Sequence, residues 1–125
     1  MMEFTKIFVD SSVFVEHFKE NPKAVNLMEA IFSRADFKIF VNDIVYSEVA
    51  YVFIRTRARK SHLTLKKDKD LVSLLGKEFL SLAYPTLENL EFLEINKDVI
   101  TIANKFIVEY GLLPNDALIL ATCKF

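Results

Sequence analysis

Three carboxylates lie far apart in the sequence, and each is flanked by apolar residues. Asp10 ends an apolar run, Glu48 interrupts an apolar helical pattern, and Asp116 lies just before another such pattern. Burying an unpaired carboxylate costs free energy, so three buried carboxylates require a common positive charge that compensates them. A Mg²⁺ or Mn²⁺ ion is the simplest candidate, because hard cations take carboxylate oxygens as ligands. The three acids therefore predict a metal site suited to the hydrolysis of phosphodiester bonds.

The chemistry of such a site needs no histidine or cysteine. Like charges close together disfavour ionisation until a cation neutralises them, and the cation can then activate a bound water. His17 and His62 have no neighbouring residues of the metal-binding types, so neither is interpreted as a ligand. Asp116 has a second interpretation, as the cap of the last helix, which is worth about 1 kcal/mol.

A basic segment follows the helical pattern that contains Glu48. Six Lys or Arg residues and no acid occur between Arg55 and Lys67, although the formal net charge of the whole chain is −1. Its candidate contacts to the phosphates of a nucleic acid are Arg55, Arg57, Arg59 and Lys60. The alternative is a solvated link whose cations complement a helix C-terminus.

The composition predicts one folded domain over residues 1–125. Hydrophobic residues make up 52% of the chain, which contains only 2 glycines. The longest apolar stretch, Val49 to Ile54, is far shorter than the roughly 18 residues of a membrane span. The single cysteine, Cys123, is expected to be an inert core thiol. A soluble, cytoplasmic protein is therefore expected.

Short β-type segments alternate with helical patterns along the chain. Strands are predicted over residues 6–9, 37–41 and 92–95. This order predicts a three-layer α/β/α fold with a central parallel sheet. Asp10 then lies at the carboxyl end of the first strand, where open α/β sheets bind ligands. Ser11 and Ser12 either cap the next helix or contact metal-bound waters or a phosphate.

Three segments carry a resemblance to a known family. They are IFVDSSVF at residues 7–14, SEVAYV at residues 47–52 and LPNDALILAT at residues 113–122. Together they resemble the PIN domains, a family of metal-dependent nucleases, and within it the small VapC-type toxins. The resemblance implies a ribonuclease whose Mg²⁺ or Mn²⁺ is held by Asp10, Glu48 and Asp116. It also implies an antitoxin partner and a homodimer. Ser11 or Ser12 stands where the family has Asn or Thr.

The resemblance includes a departure at the end of the chain. Family members usually continue through another strand beside the first strand and a fourth acidic position, whereas this sequence ends at Phe125. The absence of that strand would leave an open edge on the first strand, so we expect either a truncated version of the domain or a partner that supplies the edge. The alternative function is a catalytically weak or inactive PIN-like module that binds RNA or an antitoxin. Phosphotransferases of the haloacid-dehalogenase type are disfavoured, because Ser12 stands where they need a second Asp.

Overall fold

The sheet consists of three parallel strands in the order β1-β2-β3. The structure is a computed structural model that describes residues 4–125. The strands are β1 (Thr5–Phe8), β2 (Phe37–Asn42) and β3 (Glu91–Leu93). The short apolar segments favour this arrangement, because parallel strands covered by helices need no alternation of polar residues. β1 and β3 are the outer strands of the described sheet, so the edge of β1 opposite β2 is open.

In the described part of the chain, eight helices connect and flank these strands. They are α1 (Ser11–Phe18), α2 (Pro22–Phe32), α3 (Asp43–Ala58), α4 (His62–Lys67), α5 (Lys69–Leu82), α6 (Tyr84–Glu88), α7 (Lys97–Tyr110) and α8 (Pro114–Thr122). Within residues 4–125, no helix combines the length and the apolar character that crossing a bilayer requires.

Polar residues define where most of these helices begin. The side chains of Asn21, Ser61, Asp68 and Asn96 each accept a hydrogen bond from a backbone N–H in the first turn of the following helix. These contacts satisfy donors that the helix itself leaves free. Gly111 ends α7 with φ of 64°, a left-handed conformation that glycine adopts without steric cost.

The core has two parts. The first surrounds the sheet, and Phe14, Met28, Val41 and Val45 are among its fully buried members. The second lies between α7 and α8. Its buried residues are Val99, Ala103, Phe106, Ala117 and Ala121. The small alanines on the facing sides of α7 and α8 allow these two helices to pack closely.

The predicted α/β class and parallel sheet are confirmed, with differences at three places. The basic link contains a helix, α4, because Ser61 caps it. The third strand begins at Glu91 and ends at Leu93, since Asn96 already caps α7. The expected core thiol is wrong, because Cys123 lies beyond α8 and is exposed.

A buried hydrogen-bond network joins the end of β2 to the end of α8. The amide of Asn42 donates to Thr122 Oγ1 at 2.9 Å, across 80 residues of sequence, and accepts from the backbone N–H of Val45 at 3.0 Å. The Thr122 hydroxyl in turn donates to the Leu118 carbonyl oxygen at 2.7 Å. Asn42 and Thr122 are almost completely buried. Buried polar groups that are mutually satisfied fix one arrangement of the elements they join, here α3 and α8.

Thr122→Val is expected to lower the free energy of unfolding by about 1–3 kcal/mol, because it leaves the buried Asn42 amide without its acceptor. Urea unfolding followed by circular dichroism measures the change. Thr122→Ser, which retains the hydroxyl, is the control and is expected to lose less. Equal losses in the two variants would contradict the role given to this hydrogen bond.

Candidate metal centre

The three predicted acids are delivered by three different elements. Asp10 follows β1 and occupies the N-cap position of α1, and Glu48 lies in the second turn of α3, which begins directly after β2. Asp116 is the third residue of α8. Because β1 and β2 are parallel neighbours, Asp10 and the start of α3 leave the sheet at the same edge. The Asn42–Thr122 hydrogen bond holds α8 against this edge.

Glu48 is the electrostatic centre of this group. Its side chain is half-buried beside the buried stripe of α3 that contains Val45 and Val49, and its Oε1 atom is buried without a hydrogen-bond partner. Desolvation raises the pKa of Glu48, and the negative charges of Asp10 and Asp116 raise it further. Hydrogen bonding by the Ser11 hydroxyl lowers the pKa of Glu48. The charges of Asp10 and Asp116 therefore act on Glu48.

Helix capping does not account for the other two acids. The Asp10 carboxylate accepts no hydrogen bond from the N–H groups of α1, and instead its Oδ2 atom accepts one from Ser12 Oγ at 2.9 Å. Leu113, not Asp116, is the N-cap residue of α8. The interpretation of Asp116 as a cap is therefore wrong, although a negative charge in the first turn still complements the helix dipole.

The expectation that all three carboxylates are buried is wrong for two of them. Asp10 and Asp116 are exposed, and only Glu48 is partly removed from water. Their neighbours Val9 and Ala117 are buried in the core, whereas the acids lie in helix N-terminal segments at the carboxyl ends of the strands. The site must therefore compensate the desolvation of Glu48 first and the repulsion from these two charges second.

The donor atoms at this site are of the type that binds a hard divalent cation, but they do not form a complete coordination site. Within residues 4–125, no three His, Cys, Asp or Glu side chains lie close enough together to hold one ion. The donors at this edge are carboxylate oxygens and the hydroxyls of Ser11 and Ser12, which Mg²⁺ and Mn²⁺ accept. Among the side chains of residues 4–125, Oε1 of Glu48 is the only buried oxygen without a hydrogen-bond partner.

The four basic residues predicted to bind RNA are all exposed, but they differ in whether an acidic side chain of the protein lies beside them. Arg57 lies 3.4 Å from Glu78 Oε2, and its guanidinium stacks on the Phe53 ring at 4.5 Å. Lys60 lies 3.7 Å from an oxygen of Asp68.

Arg55 and Arg59 form no ion pair with any residue in the described range 4–125. Arg55 and Arg57 also lie in the last turn of α3, where cations complement the helix dipole, so the structural role considered above applies to them too.

Two contacts that shape the site were not predicted from the sequence. Asn42 caps α3, and its bond to Thr122, 80 residues away, has no local signal. Tyr51 Oη lies 2.9 Å from His62 Nδ1, which joins α3 to α4 beside the basic residues. This second contact also has no local signal, because its two residues lie 11 positions apart on different helices.

Glu48→Gln is expected to raise the melting temperature near neutral pH without metal, because it removes a charge that the fold disfavours. The contribution of Glu48 to stability is fully present below its unfolded pKa of about 4.5 and is lost as pH rises through the raised pKa of the folded state. Melting curves between pH 4 and pH 8 measure this loss, which the variant lacks. Glu109→Gln, an exposed position on α7, is the control. Parallel pH profiles for wild type and Glu48→Gln would contradict the cluster.

Comparisons with known proteins agree with this geometry. A family model for the PIN domain matches residues 7–125. The chain is 35% identical over 124 residues to Ribonuclease VapC2 of Methanocaldococcus jannaschii, an alignment that covers 99% of this chain and 80% of that protein. It is 30% identical over 130 residues to Ribonuclease VapC6 of the same organism, covering 99% of this chain and 84% of that protein. The chain therefore belongs to the PIN domain family.

Proposed function

We propose that this chain is a metal-dependent ribonuclease of the VapC type, which hydrolyses RNA phosphodiester bonds at the edge formed by Asp10, Glu48 and Asp116. The relatives named Ribonuclease VapC2 and Ribonuclease VapC6 support the reaction. The single observation that carries the proposal is the half-buried Glu48 carboxylate, whose pKa is raised by desolvation and by the charges of Asp10 and Asp116. A group of acids under mutual repulsion gains most from a bound cation.

The chain's own residues have separate roles in this proposal. Asp10, Glu48 and Asp116 supply anionic oxygens that hold Mg²⁺ or Mn²⁺. When bound, such an ion lowers the pKa of a water ligand and stabilises negative charge on phosphoryl oxygens. Ser12 orients the Asp10 carboxylate through its hydrogen bond, and Ser11 lies beside Glu48, where its hydroxyl can also meet a phosphate oxygen. The exposure of Asp10 and Asp116 leaves the edge open to an RNA strand.

The basic end of α3 supplies the contacts to the RNA backbone in this proposal. Arg55, Arg59 and Lys60 are exposed on the helix that carries Glu48 and on the segment directly after it. Arginine and lysine side chains bind phosphates without reading the base sequence. A metal site and a phosphate-binding surface thus share one rigid element.

Partners are also part of the proposal. A VapC-type ribonuclease acts in the cytoplasm and is inhibited by an antitoxin protein, and this chain is expected to form a homodimer. Large apolar side chains exposed on α4 and α5 support a further protein interface. They are Leu63, Leu74, Leu80 and Leu82. Size-exclusion chromatography with light scattering gives the mass of the free chain and tests the dimer.

RNA cleavage in the presence of Mn²⁺ tests the reaction. Asp10→Asn is expected to reduce the cleavage rate by more than about 100-fold, because it removes a charged metal ligand. Asp98→Asn, an exposed acid in the first turn of α7, is the matched control and is expected to cleave at the wild-type rate. Full-rate cleavage in excess EDTA would contradict metal dependence. RNA binding without cleavage would favour the inactive binding module instead.

A further inference from the structure

We propose that the exposed side of α3 leading away from Glu48 is a subsite for single-stranded RNA, in which the Tyr51–His62 pair stacks on an unpaired base while Arg55 and Arg59 bind backbone phosphates. This inference rests on the proposed ribonuclease function and adds a defined path for the substrate. It assigns a role to two aromatic residues that the metal site does not use.

Helical geometry places this surface in line with the metal site. Residues four and seven positions after Glu48, Val52 and Arg55, return to nearly the same side of a helix of about 3.6 residues per turn. Arg55 then lies about 10 Å along the axis from Glu48. Arg59, the C-cap residue of α3, extends the same line by a further turn. A strand bound at the acidic edge can therefore continue along α3.

Tyr51 is held in a fixed position beside this line. Its hydroxyl is 2.9 Å from His62 Nδ1, and the two rings meet edge to face with centroids 5.6 Å apart. The side chain of Tyr51 remains 37% exposed, although it is anchored at its hydroxyl end. A rigid, accessible aromatic face is the feature on which proteins stack single-stranded bases. Because a base within a duplex has no free face, this contact selects unpaired RNA.

The charge on this surface is available to a ligand. Arg55, Arg59 and Lys60 line one open depression together with Tyr51 and Ser61. Within residues 4–125, Arg55 and Arg59 have no acidic partner within 4 Å, whereas Lys60 is shared with an aspartate.

Arg57 provides a natural contrast with Arg55. Arg57 lies two residues after Arg55 and is therefore rotated by about 160° around the helix axis from it. It stacks on Phe53 and pairs with Glu78, and it lines a different, apolar cleft beside α1. Of the arginines in the basic segment, Arg57 is therefore the one that we expect not to contact RNA.

Fluorescence anisotropy with a labelled 12-nucleotide single-stranded RNA in EDTA measures binding without cleavage. Tyr51→Leu is expected to weaken binding by roughly 5- to 150-fold, the usual effect of removing one base-stacking side chain. Tyr51→Phe, which retains the ring, is expected to bind within about 3-fold of wild type. Melting curves establish that both variants are folded.

The dependence of Kd on salt tests the arginines independently of folding. Arg55→Gln and Arg59→Gln are each expected to reduce the slope of log Kd against log salt by about 0.7, the value for one lost phosphate contact on a single strand. Arg57→Gln is the matched control, and its slope is expected to equal that of wild type.

The outcomes separate this inference from the proposed function. If wild type cleaves RNA with Mn²⁺ while Tyr51→Leu and Arg55→Gln bind RNA as wild type does, the subsite is wrong and the ribonuclease stands. A loss in Arg57→Gln as large as that in Arg55→Gln, or equal competition by a duplex of the same length, also overturns the subsite. If wild type fails to cleave but the variants lose binding as expected, the subsite stands and the ribonuclease function fails. If an acidic peptide displaces the RNA and Tyr51→Leu binds RNA as wild type does, the surface is assigned to a protein partner instead.

Discussion

The candidate site depends on one electrostatic constraint. The negatively charged side chain of Glu48 is held partly out of water, near two other carboxylates. The free-energy cost of ionising Glu48 arises from desolvation first and from the charges of Asp10 and Asp116 second. The surrounding fold maintains this arrangement: β1 and β2 bring Asp10 and α3 to one edge, and the buried Asn42–Thr122 bond fixes α8 against it. A fold that holds like charges together in this way is suited to binding a cation, which is the basis of the proposed chemistry.

Much of this architecture could be predicted from local patterns. The asparagine caps at Asn21 and Asn96 and the left-handed Gly111 depend on neighbouring residues only, so the local sequence suffices to define these helix ends. Glu48 was correctly expected near the core, since residues four positions away on either side are apolar. The exposure of Asp10 and Asp116 was not predicted, because apolar neighbours in sequence do not show which way a helix-terminal side chain points.

The remaining features depend on contacts between distant segments, which composition and periodicity do not report. Arg55 and Arg57 look equivalent in the sequence, yet Glu78 and Phe53 engage only the second. The link from Asn42 to Thr122 spans 80 residues and involves residue types that are common at helix ends. One consequence is that α3 carries the acid at the sheet edge in its first turns, while its later turns carry Tyr51 and the cations that are proposed to guide RNA.

Anomalous diffraction from crystals of the protein grown with Mn²⁺ tests the central claim most directly, because it locates the ion without reference to activity. The account predicts an anomalous peak between Asp10, Glu48 and Asp116, with carboxylate oxygens of all three at about 2.0–2.2 Å from the ion or joined to it through one of its water ligands. A fully ordered structure in which no Mn²⁺ lies between these acids at millimolar concentration, or in which the ion binds elsewhere, would contradict it.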